Sequence, residues 1–344
     1  MMQCMACSND TGPDVITDQT PPIPWDPIGQ NDTPPPSSQT ADAGWTSVYA
    51  DAGVALRDAG NDSETDVDEP TGRLPDGGVD CSFPVDYDND GYVDHRCGGD
   101  DCNDENPYIH PGANEACDND DNNCDGNINE GLECWFYAHS STSLYKIDPF
   151  LFTYEYVVSV PSLFDMDTTP APQFKLYGLT GSGWLKTFDE DTETWSTLDN
   201  SQSSIGGNGF AIDNYGRAFV TKSSKLYEVD LQTGAIIEEW DLSASGVNVR
   251  SSGDCVVNKN NSFFMTSSAS PLDDLIYVDS STMQAVLVGN TGFDAIWGLT
   301  AAFGNLYGLT SAGKLLLINP DTAETVELYD FPLSFYGAAS TANR

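Results

Sequence analysis

From Trp135 onward the chain alternates short apolar runs with polar breaks rich in Gly, Asn and Asp, the period-two pattern of half-buried strands joined by hairpins. The runs recur. Leu144-Tyr-Lys-Ile-Asp148, Leu185-Lys-Thr-Phe-Asp189, Leu226-Tyr-Glu-Val-Asp230, Leu275-Ile-Tyr-Val-Asp279 and Leu315-Leu-Leu-Ile-Asn319 each end an aliphatic strand on an acid or its amide, at intervals of 41, 41, 49 and 40 residues. Polar hairpin turns follow, among them Asp191-Thr-Glu-Thr, Leu231-Gln-Thr-Gly and Pro320-Asp-Thr-Ala. This spacing is that of one four-stranded blade, so residues 135–344 are expected to form an all-β, five-bladed β-propeller. A β-sandwich would supply similar strands but not the period.

The last full unit reads as four strands at Ile296-Trp-Gly-Leu-Thr, Asn305-Leu-Tyr-Gly-Leu-Thr, Lys314-Leu-Leu-Leu-Ile-Asn and Thr325-Val-Glu-Leu-Tyr. Its second strand is nearly copied at Lys175-Leu-Tyr-Gly-Leu-Thr. Trp135-Phe-Tyr-Ala-His-Ser has the look of a second strand and Ser334-Phe-Tyr-Gly-Ala-Ala that of a first. One blade should therefore be built from both ends of the domain, which removes exposed sheet edges.

Upstream the pattern vanishes. Residues 8–80 are rich in Pro, Asp, Gly, Ser and Thr, with Pro34-Pro35-Pro36 and an acidic run from Asp62 to Glu69, and are expected to form a disordered, self-repelling stalk. Only Ala43 to Leu56 has the composition to order locally or to dock a partner. The first seven residues read MMQCMAC, similar to the end of a bacterial lipoprotein signal with Ala6 before an acylated Cys7; Cys4 departs from that pattern. Export and lipid attachment through Cys7 are the expectation, with secretion as the alternative.

Charge narrows the partners. With 54 Asp+Glu against 13 Lys+Arg the formal net charge is −41, which excludes nucleic acid and anionic lipid as natural partners and favours cations. No apolar run is long enough to span a bilayer. Six cysteines, Cys81, Cys97, Cys102, Cys117, Cys124 and Cys134, fall between the stalk and the strands, which suits three disulfides in an oxidising compartment and a module over 81–134. Short local bridges are expected, Cys97–Cys102 and Cys117–Cys124, with Cys81–Cys134 closing the module. Zinc is disfavoured because carboxylates outnumber soft ligands and the module holds no CxxC pair. Cys255, in an apolar strand, reads as a small buried hydrophobe.

Within this module stand two acidic loops. Asp86-Tyr-Asp88-Asn-Asp90-Gly91-Tyr92-Val93-Asp94 and Asp121-Asn-Asn123-Cys-Asp125-Gly126-Asn127-Ile128-Asn129-Glu130 both place oxygen ligands at positions 1, 3 and 5, glycine at 6 and a backbone carbonyl, Tyr92 or Asn127, at 7. A hard divalent cation requires this arrangement from a short loop. Position 12, where a bidentate glutamate belongs, holds Cys97 or Leu132, so further ligands must come from Asp100, Asp101, Asp104 or Glu115. Calcium in a structural role is the expectation. A module with so few apolar residues needs disulfides and a bound cation for order. Affinities of extracellular calcium modules, on the order of 0.1–1 mM, suit a permanent structural ion.

The stretches Cys97-Gly-Gly-Asp-Asp-Cys-Asn-Asp, His110-Pro-Gly-Ala-Asn-Glu-Ala-Cys-Asp and Asp121-Asn-Asn-Cys-Asp-Gly-Asn-Ile-Asn-Glu-Gly resemble the MopE-type metal-binding repeat of secreted bacterial proteins, over roughly Asp86 to Gly131. The resemblance implies an exported, often lipid-anchored protein. It also implies a ligand set of Asp86, Asp88, Asp90, Asp94, Asp101, Asp104, Asp121, Asn123, Asp125 and Glu130. Asn123 and Asn129 stand where the family often has Asp, which weakens the second site. The family name implies copper, but the module has only His95 and His110 and no methionine, which favours calcium.

In the propeller the candidate acids are Asp165, Asp167, Asp213 and Asp254. Asp213 ends one inner strand and Asp254 begins the next, which should place them at opposite mouths of the central channel. His139 is the domain's only histidine, and no GxSxG, HExxH or phosphate loop occurs. These observations point to a surface-displayed, calcium-stabilised binding or adhesion protein whose propeller recognises an extracellular glycan or protein. The alternative is an exported hydrolase or lyase acting on carbohydrate or a lactone, which two carboxyls meeting at one mouth would support. A copper-binding surface protein would need His95, His110 and His139 together.

Overall fold

The computed structural model describes residues 79–170, 174–198 and 205–341. The signal-like segment, the Ala43 to Leu56 stretch and nearly all of the stalk lie outside them. The propeller begins with β1 (Phe136–His139), β2 (Ser143–Asp148) and β3 (Thr153–Ser159). The second blade holds β4 (Leu163–Thr168), β5 (Leu176–Thr180), β6 (Leu185–Asp189) and β7 (Thr194–Thr197). The third holds β8 (Gly209–Ile212), β9 (Ala218–Lys222), β10 (Lys225–Val229) and β11 (Ile236–Asp241). The fourth holds β12 (Ser251–Val257), β13 (Phe263–Ser267), β14 (Asp274–Asp279) and β15 (Gln284–Asn290). The fifth holds β16 (Ile296–Ala302), β17 (Asn305–Thr310), β18 (Lys314–Ile318) and β19 (Thr325–Asp330), and β20 (Gly337–Ala339) returns to the first.

The sheets run β20-β1-β2-β3, β4 to β7, β8 to β11, β12 to β15 and β16 to β19, five blades of four strands. Closure is by the two ends of the domain, with Tyr137 opposite Ala339, Ala138 opposite Ala338 and His139 opposite Gly337. Among the described residues helix is confined to two 3-10 turns, His95–Cys97 and Leu242–Ser245. None is long and apolar enough to cross a membrane.

The recurring acid has a local explanation. Asp148 Oδ1 accepts from the Phe150 and Leu151 amides at 2.9 Å each, Asp230 Oδ1 from Gln232 and Thr233, and Asp279 Oδ1 from Ser281 and Thr282. Asn319 does the same for Asp321 and Thr322. Each residue folds its own hairpin by capping the turn amides, which is why the repeat marks hairpins.

The apolar alternation sorts side chains into five clusters, one between each pair of neighbouring blades. On β12 the successive residues show the rule: Cys255 and Val257 pack toward the third blade while Val256 packs toward the fifth. Cys255 is a free, buried thiol in this packing. The inner strands are crowded at Gly337, where an added Cβ would stand 2.6 Å from His139 Nε2 and 2.7 Å from Asp165 Oδ1. Gly337→Ala should therefore cost about 1–3 kcal/mol through overpacking at the closing strand. Chemical denaturation of the purified chain checks this, and an unchanged midpoint would count against the tight closure.

The disulfides differ from expectation. The pairs are Cys81–Cys97, Cys102–Cys124 and Cys117–Cys134, so none of the expected Cys97–Cys102, Cys117–Cys124 and Cys81–Cys134 bridges forms. The cause is the backbone around the first loop. Asp101 folds back beside Asp94 in an isolated parallel bridge, with His95 N–H donating to Asp101 O at 2.8 Å and Asp101 N–H to Val93 O at 3.1 Å. Cys97 is left to close the first loop onto Cys81, and Cys102 is delivered to the second loop, where its amide lies 3.1 Å from Cys124 Sγ.

Candidate metal centre

Loop one spends half of its carboxylate oxygens on its own backbone. Asp86 Oδ2 accepts from Gly91 N at 3.1 Å, Asp88 Oδ1 from Asp90 N at 3.1 Å and Asp90 Oδ1 from Tyr92 N at 2.8 Å. Asp101 follows the same rule, with Oδ1 accepting from Asn103 N at 2.8 Å. The other oxygens, Asp86 Oδ1, Asp88 Oδ2, Asp90 Oδ2 and Asp101 Oδ2, are buried and have no hydrogen-bond partner. Gly91 makes the turn possible: its φ of +99° is a conformation that side-chain-bearing residues rarely adopt.

These oxygens converge. One oxygen each from Asp86, Asp88 and Asp104, and one each from Asp88, Asp90 and Asp101, lie within 4.8 Å of one another. Asp104 is held by the Tyr87 amide, which donates to its Oδ1 at 2.8 Å. Burial above all, and then the charges of neighbouring acids, pushes the carboxyls of Asp88, Asp101 and Asp104 above the ordinary range. Four orphaned buried oxygens and mutual repulsion are what a hard cation relieves, and every donor is oxygen. The fold-back beside Asp94 thus brings Asp101 and Asp104 to the loop, where they offer carboxylate oxygens that position 12 lacks.

Asp94 stands outside this cluster. Its buried carboxylate is taken by Arg96, with Nε at 3.0 and 2.9 Å from its two oxygens and a terminal guanidinium nitrogen at 2.6 Å from Oδ2. It also caps the 3-10 turn through the Arg96 amide. Arg96, by hydrogen bonds and then by its charge, holds the Asp94 carboxyl below the usual range. Arg96→Ala should strand this carboxylate and cost the module about 1–3 kcal/mol, read by thermal unfolding, with cation affinity little changed. A large loss of affinity instead would make Asp94 a ligand.

Tyr92 contributes to loop one through its backbone and stacks its ring on His110, centroids 4.7 Å apart. His95 Nδ1 lies 3.1 Å from the Asp101 carbonyl. His139 belongs to the propeller, so no site draws on all three histidines.

The second loop is closed on itself. Asp121 accepts from Asp125 N at 3.1 Å and Gly126 N at 2.7 Å, and Asn123 Oδ1 from Asp125 N at 3.0 Å. Asn123 Nδ2 donates to Glu130, and Asp125 Oδ1 accepts from both nitrogens of Asn127. Glu115 clamps the loop from outside, accepting from Asn123 N at 3.0 Å and Asn129 N at 2.8 Å. Asp121, Asn123, Asp125, Asn127 and Glu130 are thus together and hydrogen-bonded within the loop, with Asp125, Asn127 and Glu130 exposed.

The propeller axis gathers other acids. Asp213 is not among them; Arg217 Nε holds its Oδ2 at 2.7 Å. Asp165 and Asp254 do meet, as a hydrogen-bonded carboxyl pair, and both are completely buried. Burial above all pushes both carboxyls well above the usual range, with the charge of Asp254 adding to the shift at Asp165, so the pair holds its proton tightly. Their oxygens are already used: Asp165 Oδ2 accepts from Phe210 N at 2.5 Å, and Asp254 Oδ2 from Leu299 N at 2.6 Å and Ala338 N at 3.2 Å. Asp167 likewise accepts from Ile212 N and Ser340 N. These acids cap amides of neighbouring inner strands and stitch blades together across the axis. Such a pair is sealed from substrate and serves the fold.

No curated protein matches the chain. Among solved structures, a streptogramin B lyase is similar at 16% identity over 58% of this chain and 65% of that chain, with a TM-score of 0.35. A catalytically inactive virginiamycin B lyase from Staphylococcus aureus, solved with quinupristin, is similar at 10% identity over 56% of this chain and 64% of that chain, also with a TM-score of 0.35. The chain therefore spans slightly less than two thirds of either lyase. Residues 101–130, which include Asp101, Asp104 and the whole second loop, match the Cu-binding MopE family model, described as a "Putative metal-binding motif".

Proposed function

We propose that this is an exported, surface-attached binding protein in which a calcium-loaded, disulfide-stapled module carries a propeller recognition head. The observation that carries the cation is the set of four buried, unpartnered carboxylate oxygens on Asp86, Asp88, Asp90 and Asp101. Calcium rather than copper fits because the converging donors are all oxygen and both module histidines are turned to other contacts. Three disulfides suit an oxidising compartment. The sealed Asp165–Asp254 pair weighs against a hydrolase or lyase and in favour of binding. Attachment through a lipid on Cys7 belongs to the same reading.

The test is a calorimetric titration of the full chain with calcium and, separately, with copper. Saturable calcium binding on the order of 0.1–1 mM is expected. Asp88→Asn or Asp101→Asn should weaken it at least tenfold, while Asn127→Ala in the second loop should leave it nearly unchanged. Copper preferred at equal concentration, or no calcium binding, would overturn the assignment.

A further inference from the structure

We propose that the second blade carries a binding cleft for a neutral oligosaccharide; this deepens the reading of the propeller as a recognition head and is independent of the cation loop. A cleft of about 810 Å³ opens at the end of this blade, within the size range of ligand sites. Tyr177, Thr187 and Ser196 lie side by side across β5, β6 and β7, since Tyr177 is opposite Thr187 and Thr187 opposite Ser196. Directly paired residues share a face, so three hydroxyl-bearing side chains stand in a row at the strand spacing of about 4.8 Å.

All three line the cleft, together with Lys175 and the hairpin acids Asp189, Glu190 and Asp191. Thr187 is only 8% exposed, and its Oγ1 has no hydrogen-bond partner. A buried hydroxyl left this way costs free energy until a ligand or water pairs with it. Glu190 is fixed from the neighbouring blade, where Tyr137 Oη donates to its Oε1 at 2.9 Å. Lys175 Nζ stands 5.4 Å from the centroid of the Tyr177 ring, which places charge and aromatic face together.

The lining selects among ligand classes. An anionic ligand would face the hairpin carboxylates. A purely cationic ligand offers donors only; it would leave the hydroxyl protons of Thr187 and Ser196 unpaired and meet the Lys175 ammonium. A polyol donates and accepts at every hydroxyl, which matches alternating hydroxyls, carboxylates and an ammonium. Its carbon-hydrogen faces suit an aromatic ring.

The experiment is calorimetry of the calcium-loaded full chain against neutral hexasaccharides of the β-1,4-glucan, α-1,4-glucan and N-acetylglucosamine series. Oligogalacturonate and spermidine serve as anionic and cationic probes. At least one neutral series should bind, weakened about tenfold by Thr187→Val and retained within about twofold by Thr187→Ser, which keeps the hydroxyl and controls for folding. No binding by any neutral series, or neutral binding indifferent to Thr187→Val, overturns the proposal. A charged probe that binds best and is sensitive to Thr187→Val overturns the sugar while leaving the blade a recognition site. Calcium binding measured on the same sample reports separately on loop one.

Discussion

Acidification from pH 6.5 to pH 4 should remove about 3 kcal/mol of propeller stability through His139 alone. The imidazole is completely buried between the closing strands, with Nδ1 2.8 Å from the Ser140 carbonyl. That carbonyl can only accept, so Nδ1 carries the hydrogen and Nε2, which abuts Gly337, is bare. Burial lowers the folded-state value from 6.5 to about 4, only partly offset by the hydrogen bond to Ser140.

The unfolded chain therefore takes up a proton that the folded chain refuses. This contribution to stability is complete above about pH 6.5, falls through the window and levels off below about pH 4. A gap of this size corresponds to about 3 kcal/mol at roughly 1.4 kcal/mol per pH unit. The buried Asp165–Asp254 pair acts in the opposite sense, because its raised values mean that the folded state holds protons more tightly. The measurement is accordingly a difference: denaturation midpoints of wild type and His139→Asn at pH 7, 5.5 and 4. The side-chain amide introduced by this substitution can still donate to the Ser140 carbonyl, so the variant should lose stability at pH 7 yet vary less with pH. Parallel curves would show that His139 does not titrate in this window.

The second large effect should follow loss of the Cys102–Cys124 bridge. Chain-entropy arguments for a 22-residue separation give about 3 kcal/mol, a large share of what so small a core supplies. Cys102 directly follows Asp101, whose unpartnered oxygen belongs to the converging carboxylate cluster, so the bridge also fixes a member of that cluster. The double variant Cys102→Ser, Cys124→Ser should lose calcium binding measured by calorimetry at 1 mM and lose amide dispersion in the module. The propeller signals should persist, because its five inter-blade clusters contain none of these residues. Retained calcium affinity would mean that loop one orders without its tie to the second loop.

The propeller is legible in the sequence because its hairpins repeat a local device. An Asp or Asn at the end of each third strand caps its own turn, and such contacts span only two or three residues of sequence. Period-two burial and the matching terminal strands follow from the same local rules. The first acidic loop is legible for a similar reason, since the Asp-x-Asp-x-Asp-Gly order fixes its geometry within a few residues.

What stays hidden depends on chain returns and on register. The cysteine pairing is set by the fold-back of Asp101 onto Asp94, a contact that no local propensity announces. Asp94 has the spacing of a ligand, yet Arg96, two residues on, claims both of its oxygens. The Asp165–Asp254 pair escapes a count along the chain because β4 and β12 carry bulges, with register shifts between Leu163 and Asp165 and between Ser251 and Cys255. A bulge re-aims the side chains beside it, so alternation counted along the sequence misplaces both acids.

The disulfide order also decides how the module would stretch. A pull applied between residue 81 and residue 134 passes through the Cys81–Cys97 bond, along the short segment to Cys102, and across to Cys124. Residues 82–96 hang within the first covalent ring, slack with respect to that tension. Asp86, Asp88 and Asp90 would thus feel no direct force, while Asp101 sits on the taut segment. Tension along the module would reach the acidic cluster through Asp101 alone, which makes the module a short, nearly inextensible link whose remaining cluster carboxylates lie on its slack side.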